Sequence, residues 1–339
     1  GRPGPATVHA GDLNGDGKLD LIAANAGPRI LVYFQSPSNR EVWRQVPLPV
    51  GSQTWFVRAA DFTGDGRDDI VASDISATAF YIESPPGDGF KPPVPIPESR
   101  GARWTAIADW NNDGKLDFAT ANISAADITA FLGDGSGGFT LSQRLAGSRE
   151  HALEALDYDG DGMMDLFLGS GLTGLTPHKG VGDGTFVVKN PFEHMGCVEY
   201  LAEVGHFEEG KYILHGDLNK DGKGDLAPTC VESTSASAGI SRGDATYEET
   251  LETLAGPDVD SSALADLNGD GNPDLALVSK GSTSLLVHIG RGDGRFEPEP
   301  VVFGPTGDTP VFLIVRDLDR DGFIDVISAD QLSSTLTIF

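Results

Sequence analysis

The stretch Asp12-Leu13-Asn14-Gly15-Asp16-Gly17-Lys18-Leu19-Asp20 decides how this chain reads. Six further copies begin at Asp61, Asp109, Asp157, Asp217, Asp266 and Asp317, and all keep the pattern D-x-[DNT]-x-D-G-x-x-D. Successive copies start 48 to 51 residues apart, except for 60 between the fourth and fifth. A fixed period of this length marks a repeat architecture, in which each unit buries its apolar face on its neighbours.

The loop chemistry points to a hard cation. Positions one, three, five and nine offer side-chain oxygens, and the backbone carbonyl of position seven can add another. Such donors in a short loop suit Ca²⁺, which takes six to eight oxygens, whereas Zn²⁺ would want His or Cys. The expected ligands are Asp12, Asn14, Asp16, Lys18 and Asp20 in the first loop, and Asp61, Thr63, Asp65, Arg67 and Asp69 in the second. The third offers Asp109, Asn111, Asp113, Lys115 and Asp117, and the fourth Asp157, Asp159, Asp161, Met163 and Asp165. Asp217, Asn219, Asp221, Lys223 and Asp225 make the fifth, and Asp266, Asn268, Asp270, Asn272 and Asp274 the sixth. Asp317, Asp319, Asp321, Phe323 and Asp325 complete the set, in which each position-seven residue would act through its carbonyl. Up to seven Ca²⁺ are expected.

Glycine at position six supplies the sharp turn round an ion. An EF-hand would need Glu at position twelve and flanking helices. That position holds Ala23, Ala72, Thr120, Leu168, Pro228, Leu277 or Ser328, and short β-type runs follow. One such loop alone would read equally well as a metal-free Asx-rich turn; seven in register favour the metal. The fourth and seventh loops carry four carboxylates each. The second, with neutral Thr63, is expected to bind most weakly.

The net charge of −27 follows largely from these loops, which hold, at their ligand positions, three acidic side chains in five copies and four in two. Clustered basic residues, which phosphate contacts need, are absent from the pattern, so no nucleic-acid partner is expected. No apolar run reaches the roughly 18 residues of a membrane span.

Around each loop the order of short runs repeats. An apolar run leads in, such as Trp55-Phe56-Val57-Arg58-Ala59, and a second leaves. A third follows, such as Leu285-Leu286-Val287-His288-Ile289, and then a Gly/Asp turn such as Gly292-Asp293-Gly294-Arg295-Phe296. A fourth, more polar run closes the unit. Four short antiparallel strands in each of seven units predict an all-β fold: one seven-bladed β-propeller domain over 1–339, with the acidic loop between strands one and two of each blade. The seventh unit stops at its third strand, so its blade is expected to lack the outer one.

The pattern D-x-N-G-D-G-x-x-D-L-x-x-A-N, followed by a G-D-G-x-F turn, resembles the FG-GAP/VCBS-type repeat. Such repeats build the blades of integrin α-subunit heads, of some lectins and of many bacterial secreted proteins. The resemblance spans the whole chain and implies Ca²⁺ in the loop between strands one and two. The Phe-Gly and Gly-Ala-Pro boxes are missing, and the resemblance implies no single activity.

Candidate sites beyond the loops are fewer. The longer fourth spacing places an insertion over 191–211, which carries Glu193, His194 and His206, candidates for acid/base work against the simpler reading of a solvated acidic loop. Cys197 in that insertion and Cys230 are expected at the same face of one blade, as a disulfide; two buried thiols are the alternative. Trp55 and Trp104 are expected at equivalent positions just before the first strand of the second and third blades, where they could stack on a sugar or simply fill the interblade core. Arg58, Arg103, Arg316 and His9 could line a channel and attract an anion. Two Arg-Gly-Asp triplets, at 242–244 and 291–293, coincide with the turn between strands three and four, which explains them as turn chemistry. The expected function is a calcium-stabilised binding module, secreted or at the cell surface, recognising a glycan or a protein surface. A polysaccharide lyase or hydrolase using the insertion, and a structural or adhesive segment of a larger protein, are the alternatives.

Overall fold

The computed structural model describes residues 7–36, 43–76, 78–84, 89–147, 152–170, 174–189, 214–227, 235–242, 247–253, 259–279 and 281–339. Among the described residues there are 26 β-strands and no helix. The chain divides into two compact units, one of residues 1–150, 180–185 and 317–322, the other of 151–179, 186–316 and 323–339.

In the first unit, β1 (Thr7–Gly11), β2 (Asp20–Ala24), β3 (Gly27–Gln35), β4 (Trp43–Ala60), β5 (Asp69–Asp74), β6 (Thr78–Ile82) and β7 (Val94–Arg100) make one antiparallel sheet in chain order. A four-stranded sheet follows, of β8 (Ala102–Ala108), β9 (Asp117–Asn122), β10 (Asp127–Gly133) and β11 (Phe139–Ala146). The seven-stranded sheet is two repeats joined by one 18-residue strand. The first half of β4 pairs with β3, from Trp43 opposite Gln35 to Pro49 opposite Arg29. Its second half pairs with β5, from Phe56 opposite Ser73 to Ala60 opposite Asp69. A separate outer and inner strand were expected here. The junction is Gly51, whose φ of 51° is open to glycine at little cost. Just beyond it the buried carboxylate of Asp74 takes the amides of Ser52 and Gln53, which keeps the backbone strand-like through the bend.

The second unit repeats the four-stranded plan. Its sheets are β12 (Ala152–Leu156) to β15 (Phe186–Val188), β16 (His215–Gly216) to β19 (Tyr247–Thr253), and β20 (Ser261–Ala265) to β23 (Val301–Pro305). The last has three strands, β24 (Pro310–Arg316), β25 (Asp325–Asp330) and β26 (Thr335–Ile338). Among the described residues no fourth strand joins that sheet.

Every acidic loop joins the first two strands of its repeat at one register. The residue before position one lies opposite position nine: Gly11 opposite Asp20, Ala60 opposite Asp69, Ala108 opposite Asp117, Leu156 opposite Asp165. Gly216 with Asp225, Ala265 with Asp274 and Arg316 with Asp325 continue the series.

The apolar faces of the strands form the core clusters. In the first unit, Ile22, Ile30, Val32, Val57, Ile70 and Ile82 pack together, and Phe62, Tyr81, Phe118, Phe131 and Phe139 form an aromatic group next along the chain. Its rings meet mostly edge to face, Phe62 to Phe139 at 5.4 Å and Phe118 to Phe139 at 4.8 Å, the arrangement favoured by ring quadrupoles. In the second unit, Leu285, Val287, Leu313 and Val326 make the corresponding cluster.

Candidate metal loops

The seven loops share one hydrogen-bond cage. In each, the position-six amide donates to Oδ2 of position one at 2.8 to 2.9 Å, from Gly17 to Asp12 through to Gly322 to Asp317. Oδ1 of position one takes the amide of position four or five, as Gly15 to Asp12 and Asp221 to Asp217. Oδ1 of Asn14, Asn111, Asn219, Asn268 or Asp319 takes the position-five amide. Position five accepts the amide of position seven, as Lys18 to Asp16 and Met163 to Asp161. The backbone is thus folded so that short acceptors face inward.

The cage needs two left-handed residues. Position six is glycine in all seven loops, with φ between 80° and 90°. Position four is left-handed too, as Gly15, Gly64, Gly160 and Gly269, but also as Asn112, Lys220 and Arg320. The sequence reading singled out position six and missed position four, although glycine in four of seven copies signals it.

Position nine does a second job. Asp20, Asp69, Asp117, Asp165, Asp225 and Asp274 are fully or almost fully buried. One oxygen of Asp20, Asp117, Asp165, Asp225 and Asp274 accepts the position-two amide of its own loop. The other oxygen of Asp20, Asp69, Asp117, Asp225 and Asp274 accepts an amide at the end of the third strand: Gln35, Ser84, Gly133, Ser241 and Gly290 respectively. In the second loop Tyr81 donates its hydroxyl to Asp69 at 3.0 Å. Position nine is therefore a brace between loop and sheet as well as a candidate ligand. Burial pushes Asp20 up to about 7 and Asp69 and Asp117 up to about 6, against the pull of these donors. Asp225 and Asp274 are raised for the same reason.

Position two anchors the loop from beneath. Leu13, Phe62, Trp110, Tyr158, Leu218 and Leu318 are all buried. An apolar residue stands there in every copy, a regularity that the ligand-centred reading passed over.

Whether the loops fit a cation is decided by the spare oxygens. Among the described residues, three carboxylates bring oxygens within 4.8 Å of one another in two places, Asp157 with Asp159 and Asp165, and Asp317 with Asp319 and Asp325. These are the two loops with aspartate at position three. Oδ1 of Asp159 is buried without a hydrogen-bond donor, and so is Oγ1 of Thr63 at the same position of the second loop. Buried acceptors with no donor are costly, and an oxygen-seeking cation relieves that cost. The donor set is all oxygen, so the residues fit Ca²⁺. Basic side chains already lean on position five. Arg67 pairs with Asp65, Lys115 with Asp113 at 3.5 Å and Lys223 with Asp221 at 3.2 Å. In the fourth loop Lys179 pairs with Asp159 and, at 2.7 Å, with Asp161. Hydrogen bonds to these two carboxylates hold Lys179 above the usual ammonium range and Asp161 below the usual carboxylate range.

The other candidates divide. Trp104 is buried with its ring centroid 4.5 Å from that of Phe56, so it faces the core and not a ligand. Trp55 is half-buried beneath the Arg103 guanidinium at 5.8 Å. His9 is buried and its Nδ1 accepts the Ala59 amide; Arg58 lies over the Phe56 ring at 4.9 Å. In the triplet 291–293, Arg291 is held by Glu297 and Asp293 caps the Arg295 amide, as turn chemistry requires. Glu193, His194, His206, Cys197 and Cys230 lie outside the described residues, as do the whole 191–211 insertion and part of the other triplet.

The family model of the FG-GAP-like repeat matches residues 12–72, 109–168 and 266–328, more than half of the chain. The chain belongs to the FG-GAP-like repeat family. Each matched stretch runs from the first aspartate of one acidic loop past another, so the family signature and the hydrogen-bond cage coincide. No curated protein matches this FG-GAP-like repeat chain in sequence. Solved structures resemble it in fold. A lectin of Burkholderia pseudomallei is similar with a TM-score of 0.72 at 14% identity, covering 100% of this chain and 96% of that one. An Agrocybe aegerita lectin, solved for its recognition of non-reducing terminal N-acetylglucosamine, has a TM-score of 0.63 at 19% identity and covers 97% and 83%. BBS1N, solved in complex with ARL6DN, has a TM-score of 0.65 at 11% identity and covers 99% and 90%. At these identities the likeness concerns the fold alone: four-stranded antiparallel sheets of the β-propeller kind.

Proposed function

We propose that this FG-GAP-like repeat protein is a single seven-bladed β-propeller over residues 1–339 that holds Ca²⁺ in its acidic loops and serves as a binding module, secreted or at the cell surface, for a glycan. The observation that carries the calcium part is the shared cage. Seven loops turn their acceptors inward in the same way, and two leave a buried oxygen at position three without a donor. Asp157, Asp159 and Asp165 would hold the ion in the fourth loop and Asp317, Asp319 and Asp325 in the seventh, helped by the position-seven carbonyls. Bound Ca²⁺ supplies the charge that offsets opposed carboxylates, and the millimolar Ca²⁺ outside cells suits sites of this simple kind.

The glycan part is supported by the two lectins of like fold. A protein surface is the second reading, supported by the neighbour solved with a protein partner. A glycan array with the full chain, run with Ca²⁺ and again with a chelator, tests the proposal. Selective binding of a sugar class that the chelator abolishes or weakens is expected. Uniformly blank arrays with properly folded, calcium-loaded protein would overturn the glycan reading in favour of a protein partner.

A further inference from the structure

The fourth loop carries its own cation. Lys179 stands on β14 (Gly174–Gly180), one residue beyond His178, which lies opposite Leu166. At the equivalent place the other described repeats have Phe34, Glu83, Leu132, Ile240 and Ile289, none of them basic. The Lys179 ammonium reaches across to Asp159 and, at 2.7 Å, to Asp161, the third and fifth positions of the loop. Asp159 also belongs to the group whose oxygens converge with those of Asp157 and Asp165. Asp159 is thus shared between the lysine and the candidate metal position, with Oδ2 turned to Nζ and Oδ1 buried without a donor.

We propose that Lys179 is a built-in competitor for the fourth loop, occupying its carboxylates when metal is absent and lowering that loop's affinity for a dication. This rests on the calcium reading given above. A single positive charge a few ångströms from a bound dication repels it, and the repulsion is felt strongly in a partly buried site. Without metal, the same ammonium relieves the mutual repulsion of the carboxylates. Four carboxylates would make this the tightest loop by charge count alone. With Lys179 in place it fills later than the other four-carboxylate loop.

The test uses Tb³⁺ as the probe on the full chain, with Tyr158 as the reporter. Tyr158 is buried at position two of this loop, and sensitised Tb³⁺ emission that disappears in Tyr158→Phe belongs to it. Lys179→Met is expected to lower the half-saturating Tb³⁺ concentration of that emission about tenfold, the scale of one charge-assisted contact. The metal-free variant should melt at a lower temperature than the parent. Lys179→Arg keeps the charge and should stay near the parent affinity, and Lys179→Gln replaces Lys179→Met should the latter not fold. Unchanged half-saturation in the charge-removing variant, with Tyr158-dependent emission present, overturns this inference and leaves the calcium reading intact. Absence of both Tyr158-dependent emission and bound Ca²⁺ in the parent protein overturns the two together.

Discussion

Glycine at position six and the mixed residues at position four show how much of each loop is set by single backbone angles. Gly162 has a φ of 83°, and a methyl group added there would meet nothing within 4 Å. Its substitution therefore tests strain alone. Gly162→Ala should lower stability by about 1–2 kcal/mol, the cost of a left-handed L-residue, as read from thermal or denaturant unfolding. Lys220 bears a similar strain at a φ of 62°. Lys220→Gly should raise stability by up to about 1 kcal/mol, less what glycine adds to the freedom of the unfolded chain. These positions were half legible: glycine at six stood out in all seven copies, whereas position four was hidden behind Asn112, Lys220 and Arg320, which accept the same angle at a cost.

Two buried histidines give a pH dependence of known sign. His178 and His288 occupy the same register, where Tyr33, Ile82 and Phe131 stand in other repeats. The Nδ1–H of His288 donates to the Glu297 carbonyl at 2.8 Å, and its Nε2 is buried without a partner. Burial lowers both histidines below the ordinary value of 6.5. The unfolded chain then binds more protons as pH falls through that value, so this contribution to stability is lost on acidification. Buried position-nine carboxyls act in the opposite sense, so the comparison must be between variants. His288→Phe, tried on the precedent of Phe131, should show a smaller fall in melting temperature between about pH 7.5 and 5.5 than the parent protein. An equal fall would remove His288 from the account.

At the scale of the element, the loop and the strands that flank it were legible because both have a short period. The position-nine carboxylate is the end of the motif and the first residue of β2, β5, β9, β13 (Asp165–Ser170), β17 (Asp225–Leu226), β21 (Asp274–Val278) or β25. Its role as a brace could not be read, because its second partner lies some fifteen residues on, as Gln35 does from Asp20. The continuous β4 was equally hidden. Nothing in Leu48-Pro49-Val50-Gly51-Ser52 looks like strand, and only the register to β3 and β5 shows that it is one. Asp74 is what holds the bend, accepting also from the amide and hydroxyl of Ser76, both at 2.8 Å. Donors outweigh burial and keep its pKa low. Asp74→Ala would take the acceptor from the amides of Ser52, Gln53 and Ser76 together, and a loss of about 1–3 kcal/mol is expected in denaturant unfolding. A loss below about 0.5 kcal/mol, the ordinary scatter of surface changes, would show that β4 is held by other means.

At the scale of the whole molecule, sheet after sheet repeats one plan with local adjustments, and the adjustments follow composition. Loops with aspartate at position three gather three carboxylates, Asp319 having a second oxygen besides the one on the next-but-one amide, whereas asparagine there spends its one side-chain oxygen on that amide. The number of strong sites is therefore expected to be smaller than seven, with the fourth and seventh loops distinct from the rest. The 60-residue spacing that marks the insertion was the clearest departure in the sequence, and residues 191–211 lie outside the described ones. Mass action links site occupancy to the stability of the fold: each loop held at a hundredfold excess of Ca²⁺ over its Kd contributes about 2.7 kcal/mol.

The most direct measurement is therefore the melting temperature of the protein with its calcium content verified before and after stripping. The account expects bound calcium in the purified protein, a lower melting temperature once it is removed, and recovery when Ca²⁺ but not Mg²⁺ is returned at the same concentration. A melt that does not move while the metal content falls to zero would contradict it.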